Sequence, residues 1–165
     1  MSIEGLSKAL TLKSGRSKPN QAPEGQQVAA LCYRFEKKAV RVLLITSRDT
    51  GRWVLPKGWM MGGMTAADAA AQEAWEEAGA VGRTVDQPLG HFSYDKILSS
   101  GDALPCQVAV HAMHLTDIKE KFPEMGQRRR RWVSPKKAAK MVQEPALSKL
   151  LLGFIDRRAS CRERV

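Results

Sequence analysis

The stretch P-K-G-W-M-M-G-G-M-T-A-A-D-A-A-A-Q-E-A-W-E-E-A-G, Pro56 to Gly79, joins a glycine-bearing turn to an alanine-rich segment that ends in three crowded carboxylates. Thr65 with Asp68 three residues on is a helix-capping signature, and Gly79 stands where such a helix would stop. On a helix, Glu73, Glu76 and Glu77 occupy positions i, i+3 and i+4, so their side chains emerge in one narrow sector. Ala67, Ala71, Ala74, Trp75 and Ala78 fall on the other side, a mostly small face suited to lying close against a sheet.

Like charges at these spacings cost about 0.2–0.5 kcal/mol each, and carboxylates in a last turn meet the negative end of the helix dipole for about 0.3–1 kcal/mol more. A divalent cation between them would reverse the sign of that term. Oxygen-only ligands select a hard ion, Mg²⁺ or Mn²⁺. A solvated acidic face is the competing account, because glutamate is a good helix former.

Outward from this segment, V-A-A-L-C-Y-R-F (Val28 to Phe35) and V-R-V-L-L-I-T (Val40 to Thr46) flank a charged turn at Glu36 to Lys38, the pattern of a β-hairpin. Arg52 to Pro56 predicts a short strand ended by proline. Further strands are expected near Gly90 to Tyr94, Cys106 to Leu115 and Arg130 to Ser134. Ser134 and Pro135 open a helix through Ala138, Ala139, Met141 and Val142, and Leu147, Leu150, Leu151 and Phe154 fit another. Strands interleaved with a few helices give a mixed α/β domain over residues 26–155. Residues 1–25 read as a flexible basic leader, and residues 156–165 as a basic tail.

The chain has 165 residues, enough for one domain with a real core, and no apolar run long enough to span a membrane, so a cytoplasmic protein is the expectation. Its net charge of +10 raises the possibility of a nucleic-acid partner. Residues 1–20 hold Lys8, Lys13, Arg16 and Lys18 against Glu4, and residues 156–165 hold four arginines against Asp156 and Glu163, so half the excess lies in the expected tails. Cys32, Cys106 and Cys161 show no metal-binding spacing. The first two lie in apolar segments and are read as core fillers. His111 and His114, three apart on a presumed strand, would face opposite sides, and His91 has no evident role.

The glycine, the carboxylates and their spacing resemble the Nudix hydrolases, whose box is G-x5-E-x7-R-E-U-x-E-E-x-G-U with U aliphatic. Gly58 takes the first glycine, and Glu73, Ala74, Glu76, Glu77, Gly79 and Ala80 fall on the E, U, E, E, G and U positions. Met64 stands in place of the first glutamate and Gln72 in place of the arginine. The resemblance implies an α/β/α sandwich around a mixed β-sheet and Mg²⁺-dependent hydrolysis of a diphosphate bond. It implies Mg²⁺ ligation by Glu73 and Glu77 with a main-chain carbonyl at Lys57 or Gly58. Glu76 would be a further ligand or the base, and the roles of the three can interchange. Met64 and Gln72 keep a Nudix-fold binding or regulatory protein, without turnover, as the alternative.

Thr46 to Gly58 and the basic run Gly126 to Ser134 resemble the diphosphoinositol polyphosphate and diadenosine polyphosphate phosphohydrolase branch. That resemblance puts Ser47 and Arg48 at positions that would touch substrate phosphates; Arg52 and Lys57 are further substrate-binding candidates, and Trp59, beside Gly58, is the best candidate among the tryptophans to touch substrate. Arg128 and Arg130 would share one side of the run if it is extended, with arginine's planar fork suited to phosphate oxygens. Trp53 and Trp132 pack or flank the cleft. Asp117, Glu120 and Glu124 are candidates for an acid outside the box. The expected partner is a small-molecule polyphosphate: a nucleoside polyphosphate, a diphosphoinositol, or the 5′ end of RNA. RNA is the less favoured, for want of an evident stacking platform.

Overall fold

The structure is a computed structural model that describes residues 25–162, with side chains described as far as Phe154. The expected leader therefore lies, apart from Gly25, outside the described residues. The elements run β1 (Gln26–Glu36), β2 (Ala39–Thr46), β3 (Trp53–Val54), β4 (Lys57–Trp59), α1 (Ala66–Ala78), β5 (Ala80–Thr84), β6 (Gly90–Ile97), β7 (Ala103–Ile118), β8 (Arg130–Val133), α2 (Pro135–Met141) and α3 (Pro145–Arg162). The expected hairpin forms, with both turn residues, Lys37 and Lys38, in the left-handed region. The helix of α3 continues to Arg162, past residue 155.

All eight strands form one mixed sheet. Its main path is β3-β2-β1-β7-β5, with β4 added to β1, β6 to β7 and β8 to β2. β1 runs parallel to β7 along Gln26 to Tyr33. On its other edge β1 pairs with β2 only from Tyr33 onward, and β4 occupies the edge at Gln27 to Ala29. β2 and β4 thus share one edge of β1.

Alternation sorts the central strands onto two faces. Val28, Ala30, Cys32, Leu43, Ile45 and Met113 point to one side and pack on Ala69, Ala70, Ala74 and Ala78 of α1. Leu31, Tyr33, Val42, Leu44, Val110 and Ala112 point to the other, against Ala138, Leu147, Leu151 and Phe154 of α2 and α3. Burial on both faces explains why V-A-A-L-C-Y is a continuous apolar run. The expected α/β/α sandwich is what forms, and among the described residues no helix is long and apolar enough to cross a membrane.

Cys32 and Cys106 are buried and free, and burial pushes the Cys32 thiol up to about 12. His111 is buried with Nδ1 2.9 Å from the Val85 carbonyl, while His114 stacks on Tyr33 at 5.0 Å, on the opposite face. Two short strands, β4 and β5, are not anticipated by sequence pattern. K-G-W reads as turn, and A-V-G-R-T starts directly after the helix cap with a register shift between Val81 and Gly82.

Candidate active site

The helix that carries the carboxylates is capped as its sequence predicts. Thr65 accepts a hydrogen bond from the Asp68 amide at 3.1 Å, and Gly79 adopts φ 68° while its amide donates to the Trp75 carbonyl at 2.9 Å. The helix's buried residues are Ala67, Ala69, Ala70, Ala74, Glu77 and Ala78. Two corrections follow for the helix face. Ala71 and Trp75 are only half-buried, and Glu77 belongs to the buried stripe, because position 77 lies one turn beyond Ala74.

Glu77 is 7% exposed, and both of its oxygens are engaged. Oε2 accepts from the Lys57 amide of β4 at 3.0 Å, and Oε1 accepts from the Arg128 guanidinium at 3.2 Å. Arg128 also donates to Glu124 Oε1 at 3.3 Å and to the Thr46 carbonyl at 3.2 Å. Burial is the chief reason that the Glu77 carboxyl is pushed up to about 7; Arg128 and the Lys57 amide pull it down, and Glu73 and Glu124 push it further up. Glu73 is also held above the ordinary carboxylate range, first by burial and then by Glu76 and Glu124. Burial lowers Lys57, against the pull of Glu77 and Glu144.

Glu73 lies across the backbone of β4. A side-chain carbon at Gly58 would overlap its carboxyl group, so only glycine leaves room for that approach. Glu73, Glu77 and Glu124 all line one cleft of about 830 Å³. The same cleft is lined by Ser47, Arg48 and Arg52 from the β2–β3 loop, Lys57, Gly58 and Trp59 from β4, and Arg128. Arg48 reaches Gln127 at 3.0 Å and Glu124 at 3.4 Å. Arg52 donates to Gln143 at 2.7 Å and meets Glu144 at 3.4 Å.

Two expected site residues sit elsewhere. Glu76 does not line the cleft; its carboxylate accepts from Gln72 at 2.9 Å, so the residue at the box's arginine position holds this acid with an uncharged donor. Arg130 does not line it either. Its guanidinium donates to the Ala78 and Lys119 carbonyls, both at 2.9 Å, and lies 5.0 Å from the Phe122 ring, tying down the end of α1. Strand geometry begins only at Arg130, so the alternation expected to align Arg128 with Arg130 does not apply. Met64 is 39% exposed in the turn before α1 and is not part of the cleft wall.

Of the three acids considered outside the helix, Glu124 is in the cleft, while exposed Asp117 pairs with Lys119. Tyr94 and Lys96 of β6 also line the cleft, without any signal in the sequence, because β6 reaches it only through its pairing with β7. Among the described residues no three His, Cys, Asp or Glu side chains converge as a ready ligand set. The pair Glu73 and Glu77, beside backbone that Gly58 leaves open, nevertheless fits a hard cation. Mg²⁺ keeps several waters and needs only one or two carboxylates.

A family model described as the NUDIX domain matches residues 25–152. Diphosphoinositol polyphosphate phosphohydrolase 3-beta of Bos taurus is 31% identical over 136 residues, covering 78% of this chain and 79% of that protein. Nudix hydrolase 21, chloroplastic, of Arabidopsis thaliana is 29% identical over 160 residues, covering 91% of this chain and 77% of that one. A solved C. elegans Ap4A hydrolase binary complex is similar with a TM-score of 0.61 at 19% identity, over 82% of this chain and 98% of that chain, a likeness of fold.

Proposed function

Because the chain belongs to the Nudix hydrolases and is a phosphohydrolase, we propose that it cleaves a diphosphate bond in a nucleoside or inositol polyphosphate, with Mg²⁺ held by Glu73 and Glu77. The observation that carries this reading is a shared cleft. Acids that could hold a cation, Glu73, Glu77 and Glu124, line the same cleft as Arg48, Arg52 and Lys57, cations that could bind phosphate.

The Lys57 or Gly58 carbonyl would complete the protein's share of the metal ligands. When bound, the ion supplies neutralisation of phosphate charge and a more acidic attacking water. The remaining work belongs to the side chains. Arg48 is the most exposed of the cleft arginines, with 55% of its side chain in solvent, and beyond its Nη1 contacts with Gln127 and Glu124 it has donors left for phosphate oxygens. Arg52 and Lys57 add charge from the wall, and Ser47 a hydroxyl. Arg128 has its guanidinium on Glu77, Glu124 and Thr46, so its first task is to bridge the two acids and offset their repulsion. Water oxygen bonds to phosphorus, the bridging P–O bond breaks, and the leaving phosphate takes the electron pair. Glu124, which lines the cleft, would accept the water's proton; the family resemblance offers Glu76 for that role or as a further ligand, and Glu76 does not line the cleft.

The test is a panel containing a diadenosine polyphosphate, a diphosphoinositol polyphosphate, inorganic tripolyphosphate and a 5′-triphosphorylated RNA, each with Mg²⁺ and with chelator. Metal-dependent cleavage of a small polyphosphate, reduced about 10²-fold or more in Glu73→Gln, is expected. Cleavage of none of them, or full activity in that variant, would overturn the reading. Preference for the RNA would favour the 5′-end alternative.

A further inference from the structure

Beside the acids, β4 and β6 carry into the cleft a feature that hydrolysis alone does not require. Lys57 and Trp59 are two apart on β4, and Tyr94 and Lys96 are two apart on β6, so each pair shares a strand face. The Lys57 ammonium lies 4.9 Å from the centre of the Tyr94 ring, and the Lys96 ammonium lies 5.0 Å from the centre of the Trp59 ring. Each strand therefore gives one ring and one cation, and the partners cross between strands. All four residues line the cleft. Tyr94 is fixed by donating to Gln27 Oε1 at 2.6 Å. Trp59 is different: it is 40% exposed, and the apolar edge continues past it to Ile97, 65% exposed.

An inositol polyphosphate carries phosphates around a saturated ring and has no flat face to stack. It would be served by cations at this end, not by a solvent-exposed indole. A nucleoside polyphosphate has two chemically distinct ends, an anionic chain and a planar base, and the cleft is lined both by cations and by an exposed indole. Resting on Trp59, the Lys96 ammonium covers the ring with a charge that a phosphate can draw away, leaving the ring to a base.

We propose that Trp59 and Lys96 form a base-binding platform, so that this cleft selects a nucleoside polyphosphate over an inositol polyphosphate. The proposal rests on the polyphosphate-hydrolase reading above. Trp59 stacks the base, Lys96 moves from the ring to the phosphate chain, and Lys57, with its ammonium at the Tyr94 ring and its amide on Glu77, meets the chain beside the acids.

The experiment compares the full chain with Trp59→Ala, Trp59→Phe and Lys96→Ala on diadenosine tetraphosphate, a diphosphoinositol pentakisphosphate and inorganic tripolyphosphate. Base stacking predicts that Trp59→Ala loses about tenfold or more in kcat/KM on the dinucleotide and severalfold less on the two substrates without a base. Trp59→Phe should recover most of the loss. Urea unfolding of each variant identifies any change that comes from the fold. An equal loss on all three substrates, or none on the dinucleotide, overturns the proposal. If nothing is cleaved, the hydrolase reading fails by itself, and the platform is judged by calorimetric binding of ATP. Binding weakened about tenfold in Trp59→Ala supports it; no binding to the wild type, or equal binding to both, overturns it.

Discussion

Replacing Glu77 by Gln in metal-free buffer is expected to stabilise the chain, and to do so only as pH rises. Burial lifts this carboxyl from an ordinary 4.5 to about 7 even with Arg128 alongside. In the unfolded chain the proton leaves near 4.5, so between there and about 7 the folded state holds a proton that the unfolded state has released. Stability contributed by the neutral form is therefore present at low pH and declines through this window. Above it the buried charge costs about 3 kcal/mol, since each tenfold change in proton affinity is worth about 1.4 kcal/mol. Glutamine keeps the shape without the charge. The variant should match the wild type near pH 4 and exceed it by up to about 3 kcal/mol near pH 9, as read by urea unfolding in chelator across that range. Adding Mg²⁺ should narrow the gap, since a ligand that binds only the folded wild type stabilises it. A difference between the two proteins that stays constant with pH would refute the reasoning, because it would mean that desolvation does not set the proton affinity of Glu77.

Two further perturbations separate the site from its scaffold. Gly58→Ala forces the Glu73 carboxyl away from β4, and turnover is expected to fall about 10²-fold with an unchanged secondary-structure spectrum; near wild-type kinetics would show that Glu73 need not lie there. Thr65→Ala removes the helix cap and should cost about 1 kcal/mol in chemical denaturation while leaving KM as it was, and a changed KM would mean that the cap shapes the cleft.

The helix at the centre of the site was legible because its signals are local: a capping threonine, a stop glycine, and glutamates on a fixed period. Strands buried on both faces were legible as apolar runs. What escaped depends on residues far apart in the chain. β4 is three residues long and becomes a strand only because β2 leaves that edge of β1 free. Glu77 looked like part of an acidic ridge, because period alone cannot tell which edge of a helical face the sheet covers. Arg128 and Arg130 looked equivalent in a run of four arginines, but one enters the cleft and the other grips backbone at the end of α1. Tyr94 and Lys96 carry no motif at all.

The segment between β7 and β8, which carries Glu124 and Arg128, is attached along its length. The Lys119 amide donates to the Gly79 carbonyl at 2.8 Å, the Glu124 amide to the Glu76 carbonyl at 3.0 Å, and the Arg129 amide to the Thr46 hydroxyl at 2.9 Å. Although formally a loop, it is stitched to the end of α1 and the end of β2, so it opens with them and not ahead of them. The acid contributed by the loop and the acids contributed by the helix thus belong to a single cooperative unit, and molecules with a half-assembled site should be about as rare as molecules in which that whole unit has come apart.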